Sequence, residues 1–328
     1  MDTNNYKIVV GDDGSTACKL AYFDESNPSE VKTFVSHNRA ELGQGFSFGK
    51  PNYVYITDDE KDTKYTFSDD KNALPTSNKA FQYDEQCRAS VQHALVQSGI
   101  QETNIDLCVT LPISQFFNKD GTHNTDNIER KRAVHLGYIK SVNHKTYNIK
   151  SVSVYPEGIP AILAEIQHHD IKPTDTCMCL DLGGTTSDSC IFTGKLNNII
   201  NVDSYNCGMF EVMENIRAEL NNDLNNIYTM HLDFILRNAN NPELIKDTIN
   251  KEIDVRKHYL PVFERLYRQV IELNKGSLSN TKVFLAGGGA FLFHDFLQEK
   301  DIESTVIQNA ETALAESILL IHSKQSQL

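Results

Sequence analysis

The sequence predicts an α/β protein made of two similar domains, and three stretches carry that prediction. The first is Cys177–Cys190, CMCLDLGGTTSDSC. Met178, Cys179 and Leu180 form an apolar run of the length of a buried strand. Asp181 closes it, and Gly183, Gly184, Thr185 and Thr186 make a turn. The second is Lys7–Thr16, KIVVGDDGST. Aligning Asp12 with Asp181 places Gly14 on Gly183, Ser15 on Gly184 and Thr16 on Thr185. Both copies lead into a further strand-like run, Cys18–Phe23 and Ser189–Phe192. An internal repeat about half a chain apart is the mark of two related domains. The third stretch is Val283–Ala290, VFLAGGGA, a buried-strand run ending in Gly287, Gly288 and Gly289, with Phe291–Gln298 helical behind it.

Each stretch carries a definite chemistry. Glycines let backbone approach a ligand closely, and successive N–H groups in such a turn make an anion-binding concavity. Threonine and serine hydroxyls add donors. A carboxylate at the strand end repels phosphate but suits a metal held largely through water, as Mg²⁺ bridging to phosphate is. A glycine turn between strand and helix lets a nucleotide come close to the helix N-terminus. It is neither a P-loop nor G-x-G-x-x-G. Alone, a D-x-G-G-T hairpin is more often only a tight turn, and a triple glycine is more often structural. Two acid hairpins followed by the glycine turn, in this order, point to a polyphosphate and its metal.

With those residues in place the set resembles the actin, Hsp70 and sugar-kinase ATPase superfamily. Within it the chain is similar to the ParM (StbA) plasmid-segregation actins along most of its length. The phosphate motifs identify the superfamily. Thr110–Pro112 (TLP), Asn127–Ala133 (NIERKRA) and Pro156–Ala161 (PEGIPA) point to the branch. Ser47–Gly49 (SFG), Ala80–Asp84 (AFQYD), His93–Leu95 and Ser98-Gly99 add to the match.

The resemblance implies an actin-like fold, two α/β domains with small insertions flanking a central nucleotide cleft. Domain I is expected over 1–170, with a β-rich insertion at about 36–79. Domain II is expected over 171–309, with a helical insertion at about 221–276, and 310–328 as a C-terminal helix packing back on domain I. It implies ATP or GTP with Mg²⁺, the metal approached mostly through water by Asp12 and Asp181. The implied nucleotide contacts are Asp12, Asp13, Gly14, Ser15, Thr16, Lys19, Gly183, Gly184, Thr185, Thr186, Gly287, Gly288 and Gly289, with Gly208 and Glu214 on the ribose side. Glu157 is the implied hydrolytic residue, orienting water at the γ-phosphate, with Asp181 sharing the catalytic role. Its ordinary reading is a carboxylate beside a helix N-terminus. Self-association into filaments and a DNA-binding adaptor on a plasmid site are the implied partners.

Composition limits the alternatives. The 328 residues suffice for two domains and a sizeable core. Lys+Arg 31 against Asp+Glu 44 leaves −13, poorly suited to gripping duplex phosphates, so a link to DNA should run through another protein. Seven cysteines, an odd number with no histidine cluster, read as cytosolic thiols. MDTNNYK is not a signal peptide, and no run of ~18 apolar residues exists to span a membrane. The expected location is the cytoplasm.

In chain order, 6–35 reads as three strands and 36–78 as β-rich pieces. A helix is expected from Asp84 to Ser98 with Gly99 closing it, then a strand at Ile105–Leu111. Asp126 reads as an N-cap with Glu129 three residues on. The basic run Arg130-Lys131-Arg132 reads as a solvated helix face or intersubunit contact rather than a nucleic-acid patch. Two strands are expected over Val142–Asn148 and Ile149–Val154, and a helix over Ala161–His168, where His168 and His169 do not face each other. A strand at Asn197–Ser204 precedes a helix at Met209–Leu220. Asn241-Pro242 opens a helix, and Phe263, Leu266, Val270 and Leu273 form a core stripe. Glu311–His322 closes the chain, with six frayed residues behind.

Three function classes compete: a polymerising actin-like ATPase, a sugar- or acetate-type kinase of the same superfamily, and a chaperone-type ATPase. The last needs a substrate domain for which the chain has no residues to spare. The kinase needs an acceptor pocket and a catalytic aspartate.

Overall fold

Apolar runs bounded by turn residues become strands, and capped runs become helices. The computed structural model describes residues 6–43, 52–58, 60–67, 74, 76, 79–163, 165–220, 227 and 229–326. Along the first half the elements are β1 (Lys7–Asp13), β2 (Ala17–Phe23), β3 (Val31–His37), β4 (Ala40–Leu42), β5 (Tyr53–Asp58), β6 (Thr63–Phe67), α1 (Glu85–Ser98), β7 (Asn104–Leu111), α2 (Ile113–Phe116), α3 (Thr125–Leu136), β8 (Lys140–Ser141), β9 (Asn148–Pro156) and α4 (Glu165–His168). The second half contributes β10 (Thr176–Leu182), β11 (Ser187–Thr193), β12 (Asn198–Tyr205), α5 (Met209–Leu220), α6 (Thr229–Arg237), α7 (Pro242–Ile249), α8 (Arg256–Leu273), β13 (Thr281–Ala286), α9 (Ala290–Gln298), β14 (Ser304–Val306) and α10 (Ala313–Gln325).

The chain divides into two units, Met1–His168 with Gln308–Leu328, and His169–Ile307. Each holds a five-stranded sheet, ordered β3-β2-β1-β7-β9 in the first and β12-β11-β10-β13-β14 in the second. The pairing senses match as well. β1 is antiparallel to β2 and parallel to β7, and β10 is antiparallel to β11 and parallel to β13. The two halves are therefore one topology built twice, an actin-like α/β arrangement.

In the first unit, Val9, Leu20, Val91, Leu95, Leu107 and Val109 close the core between the sheet and α1. Asp84 caps α1 by accepting from the Gln86 N–H, and Gly99 ends it in the left-handed region at φ 76°. The helix α10 belongs to this unit and packs beside β1 and β2. His322 fastens it, one ring nitrogen 2.9 Å from the Tyr155 hydroxyl and the other 3.1 Å from the Asp106 carboxylate. In the second unit the stripe Phe263, Leu266 and Val270 is buried, with Phe263 edge-on to Phe293.

Within 36–78 the described residues form β4, β5 and β6, which build a small sheet β4-β6-β5-β8 with β8 from later in the chain. Ser47–Gly49 lies outside the described residues. Its aromatic face is a ladder: His93 from α1 stacks on Phe67 at 4.3 Å and meets Tyr53 edge-on.

Several boundaries differ from the sequence expectation. The cap of α3 is Asn124, which accepts from the Asn127 N–H, while Asp126 sits inside the first turn. Val142–Tyr147 is not a strand, because the Ser141 and Thr146 hydroxyls hold local backbone N–H groups and turn the chain. The Ala161–His168 helix is broken into a 3₁₀ turn at Pro160–Ile162 and the short α4. α10 runs on to Gln325. The basic run is not a solvated face throughout, since Lys131 is fully buried.

His93 makes the fold sensitive to acid. Burial holds its pKa down at about 3, so it is neutral in the folded chain. The unfolded imidazole titrates near ~6.5. The folded pKa is the lower one, so this stability is present above ~6.5 and is lost as pH falls toward the folded value. The expected loss is about 1.4 kcal/mol per pH unit from this group, and His93→Gln should flatten that limb in urea titrations at pH 7, 6 and 5.

Candidate functional site

Because β1, β7 and β9 run parallel, their C-terminal ends fall on one edge of the first sheet. That edge collects Asp12 and Asp13, then Thr110, then Glu157. In open α/β sheets ligands bind at this edge. The Asp12 carboxylate receives the Lys19 ammonium at 2.8 Å and the Thr110 hydroxyl at 3.2 Å. Lys19 stands opposite Asp12 across the hairpin, which is what brings the two charges together. Glu157 follows the last residue of β9, is partly buried, and its N–H donates to the Leu111 carbonyl at 2.8 Å. Gly158 behind it has φ 76°, a backbone conformation that favours glycine.

Asp13 points the other way, into the unit, and is 1% exposed. One oxygen takes the Lys131 ammonium at 2.6 Å, a His135 ring nitrogen at 3.0 Å and the Cys87 thiol at 3.1 Å. The other accepts from the Thr110 N–H at 3.1 Å. Burial would raise this carboxyl, but the Lys131 charge and the His135 contact hold it well below the usual carboxylate range. Burial would likewise lower Lys131, and the Asp13 charge more than reverses it. The Asp13 carboxylate thus anchors β1 to α1 and α3. Asp13, Cys87 and His135 bring three metal-type donors together, yet the cation among them is the Lys131 ammonium.

In the second unit β10, β13 and β14 are parallel, and their ends place Asp181 beside the Gly287–Gly289 turn. A Cβ at Gly287 would stand 2.5 Å from an Asp181 carboxylate oxygen and 2.5 Å from the Leu182 carbonyl, and its φ is +83°. Only glycine fits there. The hairpin closes with the Gly183 N–H donating to the Thr186 carbonyl at 3.0 Å. The first N–H groups of α5 then take its other carbonyls, Met209 to Gly183 at 3.1 Å and Phe210 to Gly184 at 2.7 Å. This packing leaves no room for a side chain at Gly208, whose Cβ would run into the Gly184 carbonyl. Around Gly288 the space is open.

Strand register makes the two hairpins superimposable in sequence terms. Asp12 pairs with Lys19 and Asp181 with Asp188; Asp13 pairs with Cys18 and Leu182 with Ser187. Gly14, Ser15 and Thr16 thus occupy the turn positions of Gly183, Gly184 and Thr185. Glu214 lies apart from this turn, further along α5, in an ion pair with Arg217 at 3.0 Å. Thr110 and Lys131 stand out in the sequence only as members of the TLP motif and of a basic run, with no site role attached. The signal for Lys131 was its spacing to His135, which puts both on one face of α3.

Two matching units, each presenting a carboxylate and a glycine-bearing hairpin at the carboxyl edge of its sheet, define an actin-like ATPase fold. Residues 6–168 match the family model "Plasmid segregation protein ParM, N-terminal" and 171–321 match "Plasmid segregation protein ParM, C-terminal". The chain belongs to the ParM (StbA) plasmid-segregation family. Solved structures agree on the fold. The archaeal actin homologue Ta0583 is 16% identical with a TM-score of 0.69, covering 97% of this chain and 99% of its own, and was also solved with ADP. A non-polymerisable quadruple mutant of pCBH ParM is 17% identical at TM-score 0.68, covering 98% and 100%. The filament structure of AlfA from B. subtilis plasmid pLS32 is 11% identical at 0.56, covering 96% and 98%. Comparison with curated protein sequences gave no match.

The anchor is testable apart from any ligand. Lys131→Met leaves Asp13 buried and uncompensated, which should cost about 3–5 kcal/mol of unfolding free energy in chemical denaturation. Adding Asp13→Asn should recover much of that loss.

Proposed function

We propose that this chain is a nucleotide-hydrolysing filament protein that assembles with Mg-ATP or Mg-GTP and segregates plasmid DNA through a DNA-binding adaptor. The observation that carries the reading is the paired hairpins at matching register, with the glycine turn behind the second, in a chain of the ParM family. Ser15 and Thr16, and Gly184, Thr185 and Thr186, present backbone N–H and hydroxyl groups to phosphate oxygens, with Gly14 and Gly183 shaping the two turns. Lys19 supplies a positive charge beside them. Gly287, Gly288 and Gly289 let the nucleoside side approach closely, with Gly208 keeping α5 against the second hairpin.

The donor set suits Mg²⁺: hard carboxylate oxygens on Asp12 and Asp181, each at a strand end beside an anion-binding turn. These two residues would hold the ion, mostly through water. When bound, the metal neutralises phosphate charge. Glu157 orients the attacking water as a hydrogen-bond acceptor, and Asp181 assists from its own strand end. Phosphoryl transfer asks a protein mainly for such positioning and electrostatics.

Two relatives support assembly by their descriptions, the AlfA filament and the pCBH ParM mutant made non-polymerisable. The ADP complex of Ta0583 supports a nucleotide. A head-to-tail contact that does not close into a ring gives an open filament. The charge of −13 argues that DNA is reached through a basic adaptor rather than directly. Such a protein works in the cytoplasm, and no helix among the described residues is long and apolar enough to cross a membrane. A small-molecule kinase of the same superfamily is the competing reading.

Light scattering should rise with Mg-ATP or Mg-GTP above a critical concentration and stay flat in EDTA. Asp181→Ala should weaken Mg-nucleotide binding and abolish that rise; normal assembly by this variant at equal nucleotide overturns the assignment. A chain that stays monomeric with either nucleotide yet phosphorylates a sugar or acetate belongs to the kinase reading.

Glu157→Ala separates hydrolysis from assembly. It should bind nucleotide and polymerise, release phosphate at least about a hundredfold more slowly, and give longer-lived filaments in pelleting time courses. Unchanged phosphate release with a lower melting temperature would reduce Glu157 to a helix-terminus charge.

A further inference from the structure

The two hairpins need the same backbone orientation and obtain it differently. In the second unit the carbonyls of Gly183 and Gly184 are held by the first N–H groups of α5. Among the described residues no helix start donates to the turn carbonyls of the first hairpin. There the corresponding carbonyls, Gly14 and Ser15, are held by one side chain, Asn38, whose amide nitrogen lies 2.6 Å and 3.3 Å from them. The Asn38 backbone N–H takes the next carbonyl, Thr16, at 3.0 Å. Asn38 directly follows β3, is 7% exposed, and its amide oxygen has no hydrogen-bond partner among the described residues.

We infer that Asn38 is the positioning residue of the first phosphate hairpin, a side-chain substitute for the helix N-terminus that orients the second. The peptide bonds of the described residues are all trans, and a trans peptide holds its C=O and N–H antiparallel. Fixing the carbonyls of Gly14, Ser15 and Thr16 toward Asn38 therefore aims the N–H groups of Ser15, Thr16 and Ala17 to the opposite side. Successive N–H groups on one side are what an anion-binding concavity requires. The clamp sets that direction before any ligand arrives, so binding need not bear the cost of ordering the turn. The role calls for a side chain with at least two donor hydrogens and no negative charge, which the Asn38 amide supplies. The orphaned amide oxygen fits it, since burying an unpaired acceptor is unfavourable and persists here alongside two donated hydrogen bonds.

This inference rests on the nucleotide reading of the hairpins, and the experiment separates the two. Asn38→Asp keeps the shape, removes both donors and sets a carboxylate against the carbonyls; Asn38→Ala removes the clamp without burying a charge. Binding of Mg-ATP, Mg-GTP and the bare nucleosides adenosine and guanosine is measured by calorimetry on the full chain, with melting temperature and circular dichroism without ligand. The variants should lose triphosphate affinity by roughly tenfold, the worth of one or two net hydrogen bonds. Nucleoside affinity should stay within about twofold, because the nucleoside lacks the groups the turn binds. Either folded variant with unchanged triphosphate affinity overturns the inference, as does a matching loss for nucleoside and triphosphate. A wild-type chain that binds neither triphosphate overturns the nucleotide reading itself, and the role of Asn38 with it.

Discussion

The buried pair of Asp13 and Lys131 is the contact on which the first unit's functional edge depends. β1 is the central strand of its sheet, and its last residue is tied to α3 through Lys131 and His135 and to α1 through Cys87. Two opposite charges out of water are tolerable only when each satisfies the other and the remaining lone pairs find donors. Asp13 meets that condition with the Thr110 N–H, the imidazole and the thiol around it. One carboxylate of the Asp-Asp pair is thereby committed to the interior. Alternation along the strand then turns its neighbour Asp12 to Lys19 and Thr110.

The second unit reaches an equivalent hairpin with different supporting residues. Leu182 stands where Asp13 stands in the first, and its carbonyl accepts from the Gly289 N–H at 3.2 Å. The turn is held from behind by the start of α5, and the approach is close enough that Gly208 and Gly287 admit no side chain. The constraint common to both units is backbone: turn carbonyls must be satisfied on one face so that N–H groups serve the other. One half meets it with a helix start and glycines, the other with an asparagine amide and a buried salt bridge. This is why the two copies share strand order and register while their supporting residues differ.

The C-terminal helix also fastens to the strands of the first unit. Tyr155, two residues before Glu157, hydrogen-bonds His322 of α10, and His322 reaches back to Asp106 on β7. The segment leading to Glu157 is thus held by pairing of β9 with β7 and by the Tyr155 hydrogen bond to α10.

Sequence alone determined what depends on neighbours along the chain. The buried strands, the acid-and-glycine turns, the repeat that equates Asp12 with Asp181, the cap pair Asp84 and Gly99 around α1, and Asn241-Pro242 at the start of α7 were all legible. Each is a local pattern, set by side-chain period, by φ preference or by one cap hydrogen bond. Tertiary structure alone decided what depends on partners far away in sequence. Lys131, in a run that reads as solvent-facing, is buried because Asp13 waits for it; Asn38, in a segment with no motif, holds the first hairpin because β3 ends beside that turn. The α3 cap fell to Asn124 rather than Asp126, and Val142–Tyr147 turned through its own hydroxyl contacts, where several local polar groups compete for the same backbone N–H groups. Polar side chains choose among competing donors and acceptors, and that choice is settled only when the chain brings the competitors together.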